Sequence, residues 1–361
     1  ASYDDSGVTG HKSCYVLEAG EYHFYVGGDV RAAQQVSLQG QEGMEISECM
    51  VTEVLEEALA PAEKFQRLCP GNKKADGTYE AKAEDVPAQT ISLEERIRER
   101  MPEAMEITGN QGISFQDVRD KKASLEAFVA QLSERELAIL VRGEGMCNPL
   151  VTPGTASAFG GTAPSLYAYG IPPVCTADGP SGIRMDSGLK ATQMPIGTML
   201  AASWNLPLVE ELYEWEGQEL LRNEIDTLLG PGINLHRNPL NGRNFEYFSE
   251  DPYLTGKFAA AVVKGIKKSG ADATVKHFAC NNQELARNTE DSVVSERAVR
   301  ELYLKGFEMA VKEGKACSIM TSYNPLNGHW SASNYDLCTT ILRGEWGYTG
   351  IVMTDWWAKM N

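Results

Sequence analysis

The chain begins with short apolar–polar alternation, crosses a polar stretch, and then settles into strand-like and helix-like blocks that alternate. Residues 13–30 read as a hairpin, with Ser13-Cys14-Tyr15-Val16-Leu17 and Tyr22-His23-Phe24-Tyr25-Val26 on either side of a Glu18-Ala19-Gly20-Glu21 turn. Further extended runs fall at 34–38 and 50–55. Two or three strands are marginal by themselves, so residues 1–69 read as the end of a β-sandwich. Residues 70–95 are rich in Gly, Pro, Lys, Asp and Glu, and 70–120 read as a linker. Residues 91–101 and 124–141 have helical periodicity, the second through Leu125, Phe128, Val129, Leu132, Leu137 and Leu140.

From residue 170 the strand candidates are Ile171–Ala177, Ile196–Ala201, Thr227–Gly230, Ala273–His277, Ala316–Ser322 and Gly350–Thr354. Helices at 207–225 and 295–314 lie between them, the latter with Val299, Leu302, Tyr303, Phe307, Ala310 and Val311 on one stripe. This alternation predicts an α/β fold with a parallel sheet. The polar stretches after each strand are then βα loops, which form the active-site face of a (β/α)8 barrel. Closure needs eight strands. The expectation is therefore a (β/α)8 TIM-like barrel over 121–361, incomplete in this chain and truncated after its last strand. An open α/β sheet is the alternative. Both ends of the chain read as cut.

Composition narrows the function classes. The 361 residues carry a formal charge of −17, which repels phosphate backbones and argues against a nucleic-acid partner. No run of about 18 apolar residues predicts a membrane span. The eight cysteines are scattered without a CxxC pair, which favours reduced structural thiols and a reducing, cytoplasmic setting. Five histidines are spread too thinly for a metal cluster, and no HExxH, GxxxxGK[ST], strand-bound GxGxxG or GxSxG signature occurs. Neither a metal nor an organic cofactor is expected.

The candidate chemistry lies at the strand ends: Asp178, Arg243 with Glu246, Lys276 and His277, Tyr323, and Asp355 with Trp356 and Trp357. Each has a structural reading when taken singly, since an Asp after a strand commonly caps the next helix and paired tryptophans commonly fill a core. Together they would gather on one face. That set suits a sugar: charged groups bind hydroxyls through short hydrogen bonds, an indole covers the C–H face, and a carboxylate attacks the ring carbon. A neighbouring Lys and His⁺ would keep that carboxylate ionised.

Over roughly 124–361 the chain resembles glycoside hydrolase family 3. The resemblance is carried by five segments in the family's order. They are Ala177-Asp178-Gly179-Pro180-Ser181-Gly182-Ile183-Arg184; Gly242-Arg243-Asn244-Phe245-Glu246-Tyr247-Phe248-Ser249-Glu250-Asp251; Lys276-His277-Phe278-Ala279-Cys280-Asn281-Asn282-Gln283-Glu284 running to Arg287; Ser322-Tyr323-Asn324 with Asn327-Gly328; and Thr354-Asp355-Trp356.

The resemblance implies a retaining β-glucosidase with Asp355 as nucleophile. Asp178 would bind O4 and O6, and Arg184, Arg243, Lys276, His277 and Arg287 the remaining hydroxyls or the groups that do so. Tyr323 would orient the nucleophile and Trp356 would wall the sugar site. Glu250 and Asp251 would brace the Arg243 loop. The N-acetylglucosaminidase branch places a histidine acid/base soon after the Lys-His-Phe motif, and here no His follows His277 until His329. The acid/base would then be a glutamate on a separate α/β-sandwich domain, outside this chain. Asp rather than Glu at 178 favours a glucoside over a xyloside. Residues 1–69 resemble the end of a fibronectin-III-like domain, which matches members with an inverted domain order. The implied partners are a β-glucoside or short β-glucan oligosaccharide and the rest of the same enzyme. The alternatives are a β-xylosidase or α-arabinosidase of the same fold, or an inactive glycan-binding fragment.

Overall fold

The structure, a computed structural model, describes residues 1–146 and 148–360. The first strands are β1 (Ser2–Asp4), β2 (Cys14–Leu17), β3 (Gly20–Tyr22), β4 (Phe24–Val26), β5 (Gln34–Val36), β6 (Met44–Ile46) and β7 (Met50–Val54). The hairpin expected over 13–30 does not form. β2 is instead the middle strand of an antiparallel β1–β2–β7 sheet. β3 pairs with β6 and β4 with β5, so residues 20–46 make a long exposed arm. Alternation locates strands and their faces but does not choose their partners.

The expected break at residue 70 falls inside a hairpin of β8 (Gln66–Lys73) and β9 (Tyr79–Asp85). Its turn is closed by Gly77 N–H donating to Lys74 O at 3.0 Å. The polar composition that suggested a linker belongs to this exposed ribbon. The helix α1 (Leu93–Glu99) follows, then α2 (Phe115–Arg119). The single helix expected over 124–141 is two, α3 (Leu125–Ala130) and α4 (Glu134–Arg142). Ser133 starts α4 with a reciprocal cap, its Oγ accepting from Glu136 N–H while the Glu136 carboxylate accepts from Ser133 N–H.

The sheet that bears the site runs β10 (Ser157–Gly160), β11 (Pro173–Asp178), β12 (Thr227–Leu229), β13 (Asp272–Phe278), β14 (Ser318–Thr321) and β17 (Ile351–Met353). A small hairpin of β15 (Pro325–Leu326) and β16 (His329–Trp330) precedes β17. β11 through β17 are parallel, whereas β10 is antiparallel to β11, with Ser157 opposite Thr176. The result is an α/β fold with a curled, half-barrel sheet.

One expected strand is a helix. After α5 (Pro164–Ala168), the run at 196–201 forms α6 (Gly197–Ala202), which buries Gly197, Leu200 and Ala201. A short apolar run has too few residues for its period to separate strand from helix. β10 was missed because Ser157 and Gly160 look like loop chemistry.

Among the helices that cover the sheet are α7 (Leu206–Arg222) and α8 (Pro252–Ser269). Val209, Tyr213 and Leu220 of α7 and Phe258, Val262 and Ile266 of α8 share one core with Ala177, Leu228, Ala273 and Val275 of the sheet. Each large apolar side chain buried there contributes about 1.5–3 kcal/mol. The expected 295–314 helix is present, passing through a π turn at Val299–Tyr303. The seven described cysteines are unpaired. Cys147 lies outside the described residues. Among the described residues no helix is long and apolar enough to cross a membrane.

The N-terminal strands are held to the half-barrel by a buried ionic cluster. Glu296 Oε1 accepts from Tyr3 Oη at 3.0 Å, Ala58 N–H at 3.0 Å and Arg300 Nε at 2.9 Å. Arg300 also pairs bidentately with Glu345 at 2.7 and 3.0 Å and stands 4.7 Å from the Tyr3 ring centre. Nearby, Arg96 of α1 donates to Asp336 at 2.6 Å and to Glu57 O at 2.7 Å. Removing one member of such a group leaves the other charge buried without its partner. Glu296→Ala is therefore expected to lower unfolding free energy by about 3–5 kcal/mol, measured by chemical denaturation, and to expose residues 1–60 first to limited proteolysis.

Candidate active site

The parallel strands all point their C-terminal ends at one cavity of about 700 Å³. Asp178 closes β11, Lys276 and His277 lie near the end of β13, Tyr323 follows β14 and Asp355 follows β17. All nine residues expected from sequence line this cavity: Asp178, Arg184, Arg243, Lys276, His277, Arg287, Tyr323, Asp355 and Trp356. The chain register shifts between Val275 and Phe278, where the Lys276–His277 peptide bond is cis.

Asp178 leads into the Gly179-Pro180-Ser181-Gly182 turn, whose two glycines have φ of +124° and +111°. A Cβ on Gly179 would lie 1.9 Å from Gly182 O, so only glycine fits this tight return. Lys276 Nζ donates to Asp178 Oδ1 at 2.8 Å. Burial pushes the Asp178 carboxyl up, but the charge and hydrogen bond of Lys276 outweigh it and hold the group below its ordinary value.

Arg243 makes a fork-to-fork pair with Glu246, at 2.7 and 2.8 Å. Arg287 donates to Glu284 at 2.8 Å and stands 4.8 Å from the Tyr323 ring centre. Arg184 sits at the rim, its side chain 65% exposed and its Nε on Asp186 at 3.0 Å. The expected brace from Glu250 and Asp251 is not what holds Arg243. Asp251 caps α8, accepting from Leu254 N–H at 2.6 Å, and Glu246 is the brace.

His277 is 2% exposed. Asn234 fixes it on both sides, accepting His277 N–H at 3.1 Å and donating to His277 O at 2.9 Å. Burial, then the charges of Arg243, Lys276 and Arg287, hold its pKa well below the usual histidine value. The imidazole is therefore neutral at pH 7, which corrects the expectation of a His⁺ beside the nucleophile. Its Nε2 lies 3.8 Å from Asp355 Oδ2.

Asp355 is 6% exposed. Its Oδ1 accepts from Trp356 N–H at 2.8 Å. Tyr323 hydrogen-bonds the same carboxylate, and burial together with the Asp355 charge pushes the phenol up to about 12, so it stays a donor. Among the described residues, every other carboxylate in or against the cavity is matched to a cation: Asp178 to Lys276, Asp186 to Arg184, Glu246 to Arg243 and Glu284 to Arg287. Asp355 is matched only to neutral hydrogen-bonding groups. A carboxylate held this way keeps electron density available for a developing cation or an electrophilic carbon.

Sequence reasoning missed Glu284 and Asn234 as supports and Met146 and Asp186 as cavity lining, whereas Trp357, expected beside Asp355, does line the cavity. The Arg-x-x-Glu spacing at 243–246 was a usable signal for Glu246. Nothing local marks Asn234, which meets His277 only through the β12–β13 pairing.

Residues 129–361 match the family model described as glycosyl hydrolase family 3 N-terminal domain. The chain belongs to glycosyl hydrolase family 3. It is 51% identical over 362 residues to a beta-glucosidase of Ruminococcus albus, covering 100% of this chain and 37% of that relative. Its fold is similar to the crystal structure of a Paenibacillus barengoltzii beta-glucosidase, with a TM-score of 0.98 and 70% identity over 100% of this chain and 39% of that one. The structure of beta-glucosidase 3B from Thermotoga neapolitana in complex with glucose matches with a TM-score of 0.60 and 41% identity, over 64% of this chain and 34% of that chain. This family 3 chain thus spans well under half the length of these relatives.

The neutral imidazole has a stability consequence. An unfolded histidine takes up its proton near pH 6.5, whereas buried His277 does not until well below that. Stability is therefore lost as pH falls below about 6.5, by up to about 1.4 kcal/mol per unit. Denaturation midpoints at pH 5 and 7 are expected to differ less in His277→Gln than in the wild type.

Proposed function

We propose that the whole protein is a retaining β-glucosidase in which this chain supplies the nucleophile and the glycone site. The observation that carries the reading is that Asp355 is the cavity's one carboxylate without a cationic partner among the described residues. Asp355 attacks the anomeric carbon of a terminal β-D-glucosyl unit and forms a covalent intermediate, which water then releases. Tyr323 and the Trp356 N–H hold the carboxylate still during attack. Asp178 and Lys276 bind O4 and O6 as a charged pair, while Arg243, His277, Arg287 and the rim residue Arg184 serve the other hydroxyls. Trp356, 44% exposed, covers the C–H face of the ring.

A proton donor is still required. The cation-bound carboxylates around the cavity are poor acids at neutral pH. The acid/base glutamate therefore comes from a part of the protein outside this chain, consistent with its coverage of 37–39% of full-length relatives. Retention places that carboxyl about 5–5.5 Å from Asp355. The same flanking sequence completes a (β/α)8 barrel around the half-barrel, and the strands before residue 69 belong to a fibronectin-III-like domain.

In the full-length enzyme, Asp355→Asn is expected to reduce hydrolysis of an aryl β-glucoside by at least about a thousandfold. Wild-type turnover by that variant would remove Asp355 from the mechanism. Asp178→Ala is expected to lower kcat/KM for the glucoside by about tenfold to a hundredfold, and by less for the matching β-xyloside, which has no O6. A panel of nitrophenyl glycosides separates this reading from a β-xylosidase or α-arabinosidase. Binding of glucose without turnover by the full-length protein would favour a glycan-binding role.

A further inference from the structure

Beneath the cavity, α7 presents three side chains to the segment that follows β11, spaced three residues apart along the helix. Tyr213 donates its Oη to Pro180 O at 2.9 Å. Glu219 accepts from Thr192 N–H and Oγ1, both at 3.1 Å. Glu216 lies between them and is 2% exposed, with no hydrogen-bond partner at either carboxyl oxygen. The backbone group whose dipole acts on it is the N–H of Gly182, which itself donates to Gly179 O at 3.1 Å. Ser181 Oγ, on the same turn, is also buried without a partner. The turn itself runs from Asp178 to Arg184, two residues of the cavity, and is closed by Arg184 N–H donating to Asp178 O at 2.8 Å.

An ionised carboxylate buried at this position would have to be paired. Among the described residues no cation acts on Glu216, since Lys276 is taken by Asp178, Arg184 by Asp186, and Lys268 of α8 by Glu210. The charge that does act on it is Glu219, one turn along its own helix, and Tyr213 is a neutral phenol. On the α8 side the group beside this stretch of α7 is the Ser269 hydroxyl. We infer that Glu216 is a positioning residue: as an uncharged acid under Gly182 it seats the Asp178–Arg184 turn on α7, and hydration of that carboxyl unseats the turn.

The inference has a defined pH signature. Burial, reinforced by Glu219, pushes the carboxyl from its ordinary 4.5 up to about 8. Lifting the turn hydrates the group and returns it to the ordinary value. Between pH 4.5 and about 8 the lifted form has released a proton that the seated form keeps. Opening of the turn is therefore favoured by up to about tenfold per pH unit through that window, and levels off above it.

Hydrogen exchange of the full-length protein reads this directly. After correction for intrinsic rates, the amides of 179–184 are expected to open about tenfold more easily per unit from pH 5 to 8 in the wild type. Glu216→Gln keeps a polar head of the same shape beneath the turn without a titrating proton, so its opening should be flat with pH and as rare as in wild type at pH 5. Glu216→Met, which removes the titrating group and its polar head together, should be flat with pH as well. A wild-type profile that is flat from pH 5 to 8, or a Gln or Met variant that keeps the wild-type slope, overturns the inference. That Asp178 and Arg184, at the two ends of the turn, bind sugar rests on reading the cavity as a glucosyl site. The exchange result does not, so a cavity that takes another ligand would leave the Glu216 outcome intact.

Discussion

The pairing of Lys276 with Asp178 is the interaction on which the site depends. Both groups would be costly to bury alone. Together they place a fixed charge pair in the wall of the cavity that Asp355 also lines. The same lysine, with Arg243 and Arg287, adds to burial in keeping His277 neutral. One ion pair thereby sets the protonation of its neighbours and leaves Asp355 as an anion among neutral donors.

Cations bound to carboxylates surround that anion without contacting it. The arrangement separates two tasks that one carboxylate cannot combine. Asp178, Glu246 and Glu284 are consumed in positioning Lys276, Arg243 and Arg287, which line the cavity. Asp355 is spared that role. The buried cluster of Tyr3, Glu296, Arg300 and Glu345 uses the same chemistry for a structural end, fixing the N-terminal strands to the half-barrel.

Much of this was legible in the sequence. Alternating strand and helix periods gave the parallel sheet, and the polar and aromatic residues at the strand ends, with Arg184 and Arg287 added by the family resemblance, pointed to one shared cavity that all nine expected residues line. Partner choice was not legible. Residues 14–26 alternate as a hairpin would, yet β2 lies between β1 and β7 because burying Tyr3, Cys14 and Val16 decides the pairing. The 196–201 run was too short for its period to be read, and 70–85 looked like a linker because an exposed ribbon has linker composition. Protonation was hidden as well. The His277 state follows from complete burial and from Arg243 and Arg287, brought from separate loops beside the adjacent Lys276, a combination that no local motif encodes.

Covalent trapping of the full-length protein with an activated 2-fluoro-glucosyl inactivator tests the central claim most directly, because a retaining nucleophile is labelled and held. Peptide mass spectrometry is expected to find the glucosyl group on Asp355. Label on any other carboxylate of the cavity, or inactivation without a covalent adduct, would contradict the assignment of Asp355 as the anion left free to react.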